Sequence, residues 1–423
     1  MDQTLKQHGP VDLVFTAPPS KSFTHRALII AALADGESLI HGPLIAEDTL
    51  LTVRALQSLG ADITDTSEGY RVQGTGGRPD CAEGTVLDLK NSGTSLRLLS
   101  SVALLCTSIA GVTLTGSPRM QQRPIGELGD AIRTLGGSVR YLAADGYPPC
   151  VVQGPLVGGE ATLDGSVSSQ FISSLLLAAP YAVRPVDLKV ARQPVSRSYL
   201  EITCAVMAAF GVSVRRAGYT HFTVQPARYR GREYTVEGDY SSASYFFALA
   251  AALGGKVTVR NLNQDSMQGD RLFVSALKAM GCQVTGETDG VTVERTGNLH
   301  GISIDMTTAP DTVQTLAVVA ALADSPTTIT GVGHLQYKES DRVAVTAGTL
   351  RTLGCGVDVG ADAITIHPGP LHGGVIDPHD DHRTAMAFAV LGLAVGDITI
   401  ENPACVGKSF PGFWNALAAG GLL

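Results

Sequence analysis

The chain has 423 residues, 44% of them hydrophobic and 17% charged, with a net charge of −8. That length exceeds one ordinary core and makes two domains the default, while the high apolar content excludes a disordered chain. The acidic balance argues against a general nucleic-acid binder, and seven scattered cysteines without a Cys-x-x-Cys pair point to reduced thiols in a cytoplasm.

The opening "MDQTLKQHGP" is polar and lacks the apolar core of a signal segment. "VDLVF" alternates and predicts a strand. Then "APPSKSFTHRALIIAALADG" leads two prolines and a serine into an apolar helix whose first turns carry Lys21 and Arg26. Helix starts favour Asp or Glu, because that end is already partly positive. Two cations there ask for an anion. Further on, Leu98 to Pro118 is uncharged and long enough to span a bilayer. Ser100, Ser101, Thr107, Ser108, Gly111, Thr113 and Gly116 interrupt it, so it predicts a buried helix followed by the strand "GVTLTG".

A repeat organises the whole chain. An apolar helix tail, a glycine and an alternating strand recur as "LQSLGADI", "IRTLGGSV", "MAAFGVSV", "LKAMGCQV" and "LRTLGCGV". The glycines Gly60, Gly136, Gly211, Gly281 and Gly354 lie about 70–76 residues apart, and glycine is the usual helix stop. Between them a short strand enters a small polar loop and an Ala/Leu-rich helix. The loops are "PPSKSFTHR", "KNSGTSLR", "DGSVSSQF", "EGDYSSAS", "TTAPDTVQ" and "PHDDHRTA". They predict six copies of one strand–helix unit, the sixth truncated at "FWNALAAGGLL". "VDLVF" is the natural replacement for its missing strand. Six copies divide as three plus three, giving a first domain over 18–236 and a second over 1–17 plus 237–423. The fold class is α/β (α+β), with two similar domains.

If the six helices point their N-termini at one cleft, phosphates or carboxylates would bind there. Basic residues collect in the same loops: Arg119 and Arg123 in "SPRMQQRPI", Lys338 and Arg342 in "YKESDR", Arg383 in "HDDHR" and Lys408 in "VGKSFP". Arginine suits bidentate contacts with such anions, and Ser168, Ser169 and Gln170 could add neutral donors. Asp311 after Pro310 is either a helix cap or a base. Glu339 is either part of a surface ion-pair cluster or an acid. His382 sits beside Asp381 and Arg383, and "HDDH" is weak as a metal site. "QGTGGRP" reads as a hairpin turn and fails the dinucleotide fingerprint.

Taken in order, "PPSKSFTHRAL", "NSGTSLR", "RMQQRPI", "DGSVSSQF", "GDYSSASYF", "SMQGD", "YKESDR", "DDHRTAMAF" and "KSFP" make the chain resemble the 5-enolpyruvylshikimate-3-phosphate synthase family from about Val11 to Trp414. The resemblance implies an inside-out α/β barrel type of domain, a site in the interdomain cleft, and domains that close on substrate. It implies transfer of the enolpyruvyl group of phosphoenolpyruvate to shikimate 3-phosphate, without cofactor or metal. By resemblance, Lys21, Ser22, Arg26, Ser168, Ser169, Gln170, Ser196, Tyr199, Asp311 and Lys338 hold shikimate 3-phosphate. Lys21, Gly93, Arg123, Gln170, Arg342, Arg383 and Lys408 face phosphoenolpyruvate. Asp311 would be the base, Glu339 the acid, and Lys21 and His382 auxiliaries. The expected partners are these small anions, with no nucleic acid, no membrane and a monomeric state. Glyphosate, which occupies the phosphoenolpyruvate site in this family, should inhibit a chain with glycine at position 93. His334 stands where the best-known members have Asn, Leu98 where proline often follows the arginine, and Ser340 where threonine is frequent. The enolpyruvyl transferase acting on UDP-N-acetylglucosamine is the enzymatic rival, but it carries a reactive cysteine in the loop matching Ser117 to Arg123, and "SPRMQQR" has none. A silent repeat scaffold that binds a phosphorylated ligand is the non-enzymatic alternative.

Overall fold

The computed structural model describes residues 2–423, which divide into two compact units, residues 19–236 and residues 1–18 with 237–423. Each unit is built from three copies of one motif. The second copy shows it complete: strand Val86–Asp88, helix Gly93–Val102, strand Val112–Thr115, helix Gly126–Thr134, and a hairpin of Ser138–Tyr141 and Cys150–Gln153. The first strand pairs in parallel with the second, and the second pairs antiparallel with the last. The uncharged run Leu98 to Pro118 is thus a buried helix end and a strand. Among the described residues no helix is long and apolar enough to cross a membrane.

The glycine that ends the second helix of a copy is left-handed each time. Gly60 has φ +91° and its counterparts Gly136, Gly211, Gly281 and Gly354 lie between +89° and +107°. A side chain would be strained there, so glycine stops the helix and turns the chain into the hairpin.

The leading helices are apolar all round and therefore lie inside. In Tyr240–Leu253 and His382–Val395 nearly every residue is buried, and these two pack on each other and on Val313–Ala320. In the other unit Gly93–Val102 packs along Ser169–Ala178. The sheets lie outside these helices. Each unit has its own continuous apolar core.

Two strands are exchanged relative to chain order. Val11–Thr16 precedes the first leading helix, Lys21–Leu33, yet pairs in parallel with Gly255–Arg260 of the fourth copy. Glu233–Thr235 precedes the fourth leading helix, yet pairs in parallel with Glu37–His41 of the first. "VDLVF" is therefore not the replacement strand of the sixth copy. That place belongs to Gln3–Leu5, which runs antiparallel to Ile398–Ile400. The "QGTGGRP" segment is not a hairpin turn either. It follows the strand Gly69–Gln73, where the Gly74 amide donates to the Gly36 carbonyl.

Candidate active site

In the unit of residues 19–236, the first turn of helix Lys21–Leu33 has no acidic residue of its own. The balancing charge comes from the next helix, Glu47–Ser58. Lys21 Nζ lies 3.0 Å from Oδ2 of buried Asp48, itself in a first turn where a carboxylate is favoured. Arg26 is fully enclosed. Its Nε donates to Thr203 Oγ1 at 2.7 Å, Nη1 to the Ser22 carbonyl at 3.0 Å and Nη2 to the Tyr199 carbonyl at 3.3 Å. Burial pushes its guanidinium down to about 10, against opposing contributions from Tyr199 and Cys204, so it remains a cation at neutral pH.

Ser168 caps helix Ser169–Ala178 by accepting from the Gln170 amide at 3.3 Å, and Ser169 is buried at the same helix start. The Gln170 side chain is clamped at both ends. Its Oε1 accepts from Arg97 Nη1 at 2.9 Å and its Nε2 donates to Thr94 Oγ1 at 3.0 Å. Arg97 is buried, with its guanidinium 5.5 Å from the Phe171 ring centre. Ser196 is buried with φ +54°, an uncommon conformation for a residue with a side chain, just before helix Ser198–Ala209. At Gly93 a Cβ would lie 2.5 Å from Arg123 Nη1. Only glycine lets the guanidinium of Arg123 lie against that helix start. Arg119 is half-buried in the same loop.

In the unit of residues 1–18 and 237–423, the acids and bases of four loops form one network. Arg342 donates from each of its nitrogens to a different carboxylate: Nη1 to Asp311 Oδ1, Nη2 to Glu339 Oε2 and Nε to Asp381 Oδ2, all at 2.9 Å. Arg383 Nη2 donates to the other Asp311 oxygen at 2.7 Å. Lys408 Nζ lies 4.0 Å from Glu339 Oε1. Three cations thus meet three carboxylates. Burial lowers the proton affinity of Arg342, but Asp381, Glu339 and Asp311 outweigh it and drive its pKa upward.

Asp311 is not a helix cap. It sits in the 3-10 turn Pro310–Thr312, helix Val313–Ala320 begins after Thr312, and its carboxylate is given to the two arginines. Glu339 is not on the surface, being 9% exposed. Asp381 caps helix His382–Val395 by accepting from the Arg383 amide, and also accepts from Ser340 Oγ. His382 is fully buried, its Nδ1 3.7 Å from Asp381 Oδ1. His379 is exposed and turns to Asp377 at 3.3 Å, so "HDDH" does not converge. Among the described residues no group of His, Cys, Asp and Glu is placed to hold a metal. Lys338 is half-buried beside buried His334. Burial, with help from the Lys338 charge, pushes His334 down to about 3 against the pull of Asp311, so it is neutral at ordinary pH. Sequence reasoning singled out neither Asp48, Arg97 nor Asp381 as anchors. The one signal available was that Arg97 is the last charge before a long uncharged run.

The family model for EPSP synthase (3-phosphoshikimate 1-carboxyvinyltransferase) matches residues 5–417. The chain belongs to the EPSP synthase family. The 3-phosphoshikimate 1-carboxyvinyltransferase of Methanosphaerula palustris is 94% identical over 423 residues, covering all of both chains. Its namesake from Nostoc punctiforme is 41% identical, over 96% of this chain and 95% of its own. The solved EPSP synthase of Acinetobacter baumannii superposes with a TM-score of 0.83 at 29% identity, covering 100% of this chain and 99% of that one. The six copies of one motif are therefore the EPSP synthase fold.

Proposed function

We infer that the chain moves the 1-carboxyvinyl group of phosphoenolpyruvate to the 5-hydroxyl of shikimate 3-phosphate and releases phosphate, a step of the shikimate pathway. The observation that carries the mechanism is the Asp311 carboxylate held between Arg342 and Arg383, with Glu339 on the same Arg342. While both arginines grip Asp311 it is a weak base. A substrate carboxylate or phosphate drawn to Arg342, Arg383 and Lys408 takes part of that grip away, so the base gains strength as its substrate arrives. Asp311 then accepts the proton of the 5-hydroxyl while the oxygen bonds to the enol carbon. Glu339, freed by the same substrate anion from Arg342 and Lys408 and so able to carry a proton from solvent, gives it to the methylene carbon, forming a methyl group. Ionised Glu339 then takes back one methyl proton as the phosphate leaves with the proton held by Asp311, restoring the vinyl group and both side chains.

Shikimate 3-phosphate is assigned to Lys21, Ser22, Arg26, Ser168, Ser169, Gln170, Ser196, Tyr199, Asp311 and Lys338. Phosphoenolpyruvate is assigned to Lys21, Gly93, Arg123, Gln170, Arg342, Arg383 and Lys408, with Lys21 and His382 auxiliary to the chemistry. Buried cations with fixed hydrogen bonds, such as Arg26, support this, since a preorganised guanidinium loses little freedom on meeting phosphate. Neutral His334 offers an uncharged donor and acceptor, as an amide would. The reading includes a monomer at work in the cytoplasm, for which the seven free cysteines speak. The rival acceptor UDP-N-acetylglucosamine is not supported, because the loop Ser117–Arg123 has no cysteine and the relatives named above carry the other activity. The deciding experiment measures phosphate release with both substrates present and with each omitted. Release only with both is expected. Binding without release would leave a silent scaffold.

A further inference from the structure

Asp270 stands outside every role assigned above. It lies in the 3-10 turn Gly269–Arg271, just ahead of helix Leu272–Ala279, and is 4% exposed. Its Oδ2 accepts from Ser241 Oγ at 2.7 Å, and its Oδ1 is buried with no hydrogen-bond partner. A charged carboxylate in that position would be poorly satisfied.

Its neighbours set the electrostatics. The start of helix Tyr240–Leu253 brings Ser241 and the capping Asp239. The turn Pro310–Thr312 packs against it and brings Asp311, whose Oδ2 accepts from Arg383 Nη2 at 2.7 Å, so the Arg383 charge stands just behind Asp311. On its own turn, Arg271 is directed to the Ser266 carbonyl at 2.9 Å. Burial, then the Asp311 charge, push the Asp270 carboxyl up to about 7, with Asp239 adding to this and Arg383 and the Ser241 bond opposing it.

We propose that Asp270 is a positioning residue that sets how much of the Arg383 charge reaches the substrate. Uncharged, it leaves Arg383 to Asp311 and to the arriving anion; charged, it competes for Arg383 and weakens that anion's binding. This rests on the reading that Arg383 meets phosphoenolpyruvate. Asp270 acts through Arg383 and does not touch the reacting atoms.

The test is the KM for phosphoenolpyruvate from pH 6 to 8.5 in the wild type and in Asp270→Asn, taken as a ratio so that the substrate's own titration cancels. The wild-type value should rise about three- to tenfold relative to the variant over that range, as expected for one added charge near a buried cation that Asp311 already pairs. A ratio independent of pH overturns the proposal. Ser241→Ala provides a second line should Asp270→Asn fail to fold. Losing a hydrogen bond to the charged form should move the midpoint of the rise to higher pH, and an unmoved midpoint also counts against the role. Arg383→Gln separates the two readings. If it raises KM while the ratio stays flat, only the Asp270 proposal falls. If KM is unchanged, the assignment of Arg383 falls and takes the proposal with it.

Discussion

Asp311 and Glu339 share one arginine, and their separate roles can be tested by near-isosteric changes. Asp311→Asn and Glu339→Gln keep the shape but cannot take or give the proton. Each should lower kcat by about 10²–10⁴-fold with a native circular dichroism spectrum. Turnover close to wild type in either would remove that residue from acid–base chemistry. Gly93→Ala acts differently, through Arg123. The added methyl would lie 2.5 Å from a guanidinium that is 2% exposed, so Arg123 must shift. Overpacking of this kind costs about 1–3 kcal/mol. The native enzyme should be inhibited by glyphosate in competition with phosphoenolpyruvate. In the variant the glyphosate inhibition constant should rise more than the KM, and equal sensitivity would remove Gly93 from that site. His334 gives a stability prediction. Its folded pKa is depressed, so its contribution is present above about 6.5 and is lost as pH falls toward about 3. His334→Asn removes that loss. Between pH 6 and 4 the variant should lose stability less steeply than wild type, by about 1 kcal/mol per pH unit in urea titrations. Parallel curves would mean that His334 is protonated in the fold.

The strands at the N-terminus show where local pattern ends and tertiary structure begins. The six helix starts, the glycine stops and the burial of Leu98–Val102 were legible because each is written in a few adjacent residues. The partner of "VDLVF" was not, since an alternating strand fits any open sheet edge and nothing in Val11–Phe15 names Gly255–Arg260. The three residues Gln3–Leu5, lying within a polar stretch, were too short to read as a strand. The same limit applied to the anchors in the site. Asp48, Asp381 and Asp270 look in sequence like any solvated aspartate, and only packing shows them buried against cations or hydroxyls. Glu339 and Arg342 were found because charges crowd into "YKESDR". One pair of variants checks the corrected topology. Leu5 is 1% exposed in the strand that completes the sixth copy, so Leu5→Ala should cost about 2–5 kcal/mol. Val14 is 60% exposed on its strand, and Val14→Ala should change stability by less than about 0.5 kcal/mol. Equal effects in chemical denaturation would argue against this pairing.

Each unit owns its core: every residue of one cluster falls within 19–236, and every residue of the other within 1–18 and 237–423. A fragment of residues 19–236 should therefore fold alone, with cooperative urea unfolding and native-like amide dispersion, yet release no phosphate. A fragment that stays unfolded would mean that its core is insufficient by itself. The exchanged strands also impose an order on synthesis. Residues 19–236 can finish as soon as Glu233–Thr235 leaves the ribosome, since that strand closes the first copy. Val11–Thr16 is translated well before Gly255–Arg260 and must wait for it. At about 5–20 residues per second, that delay is on the order of ten to fifty seconds. For that time the strand trails with two open edges, while residues 19–236 fold behind it and close shortly before its partner is made. A segment translated early is thus among the last to fold, and it stays open to misassembly until its partner strand is made.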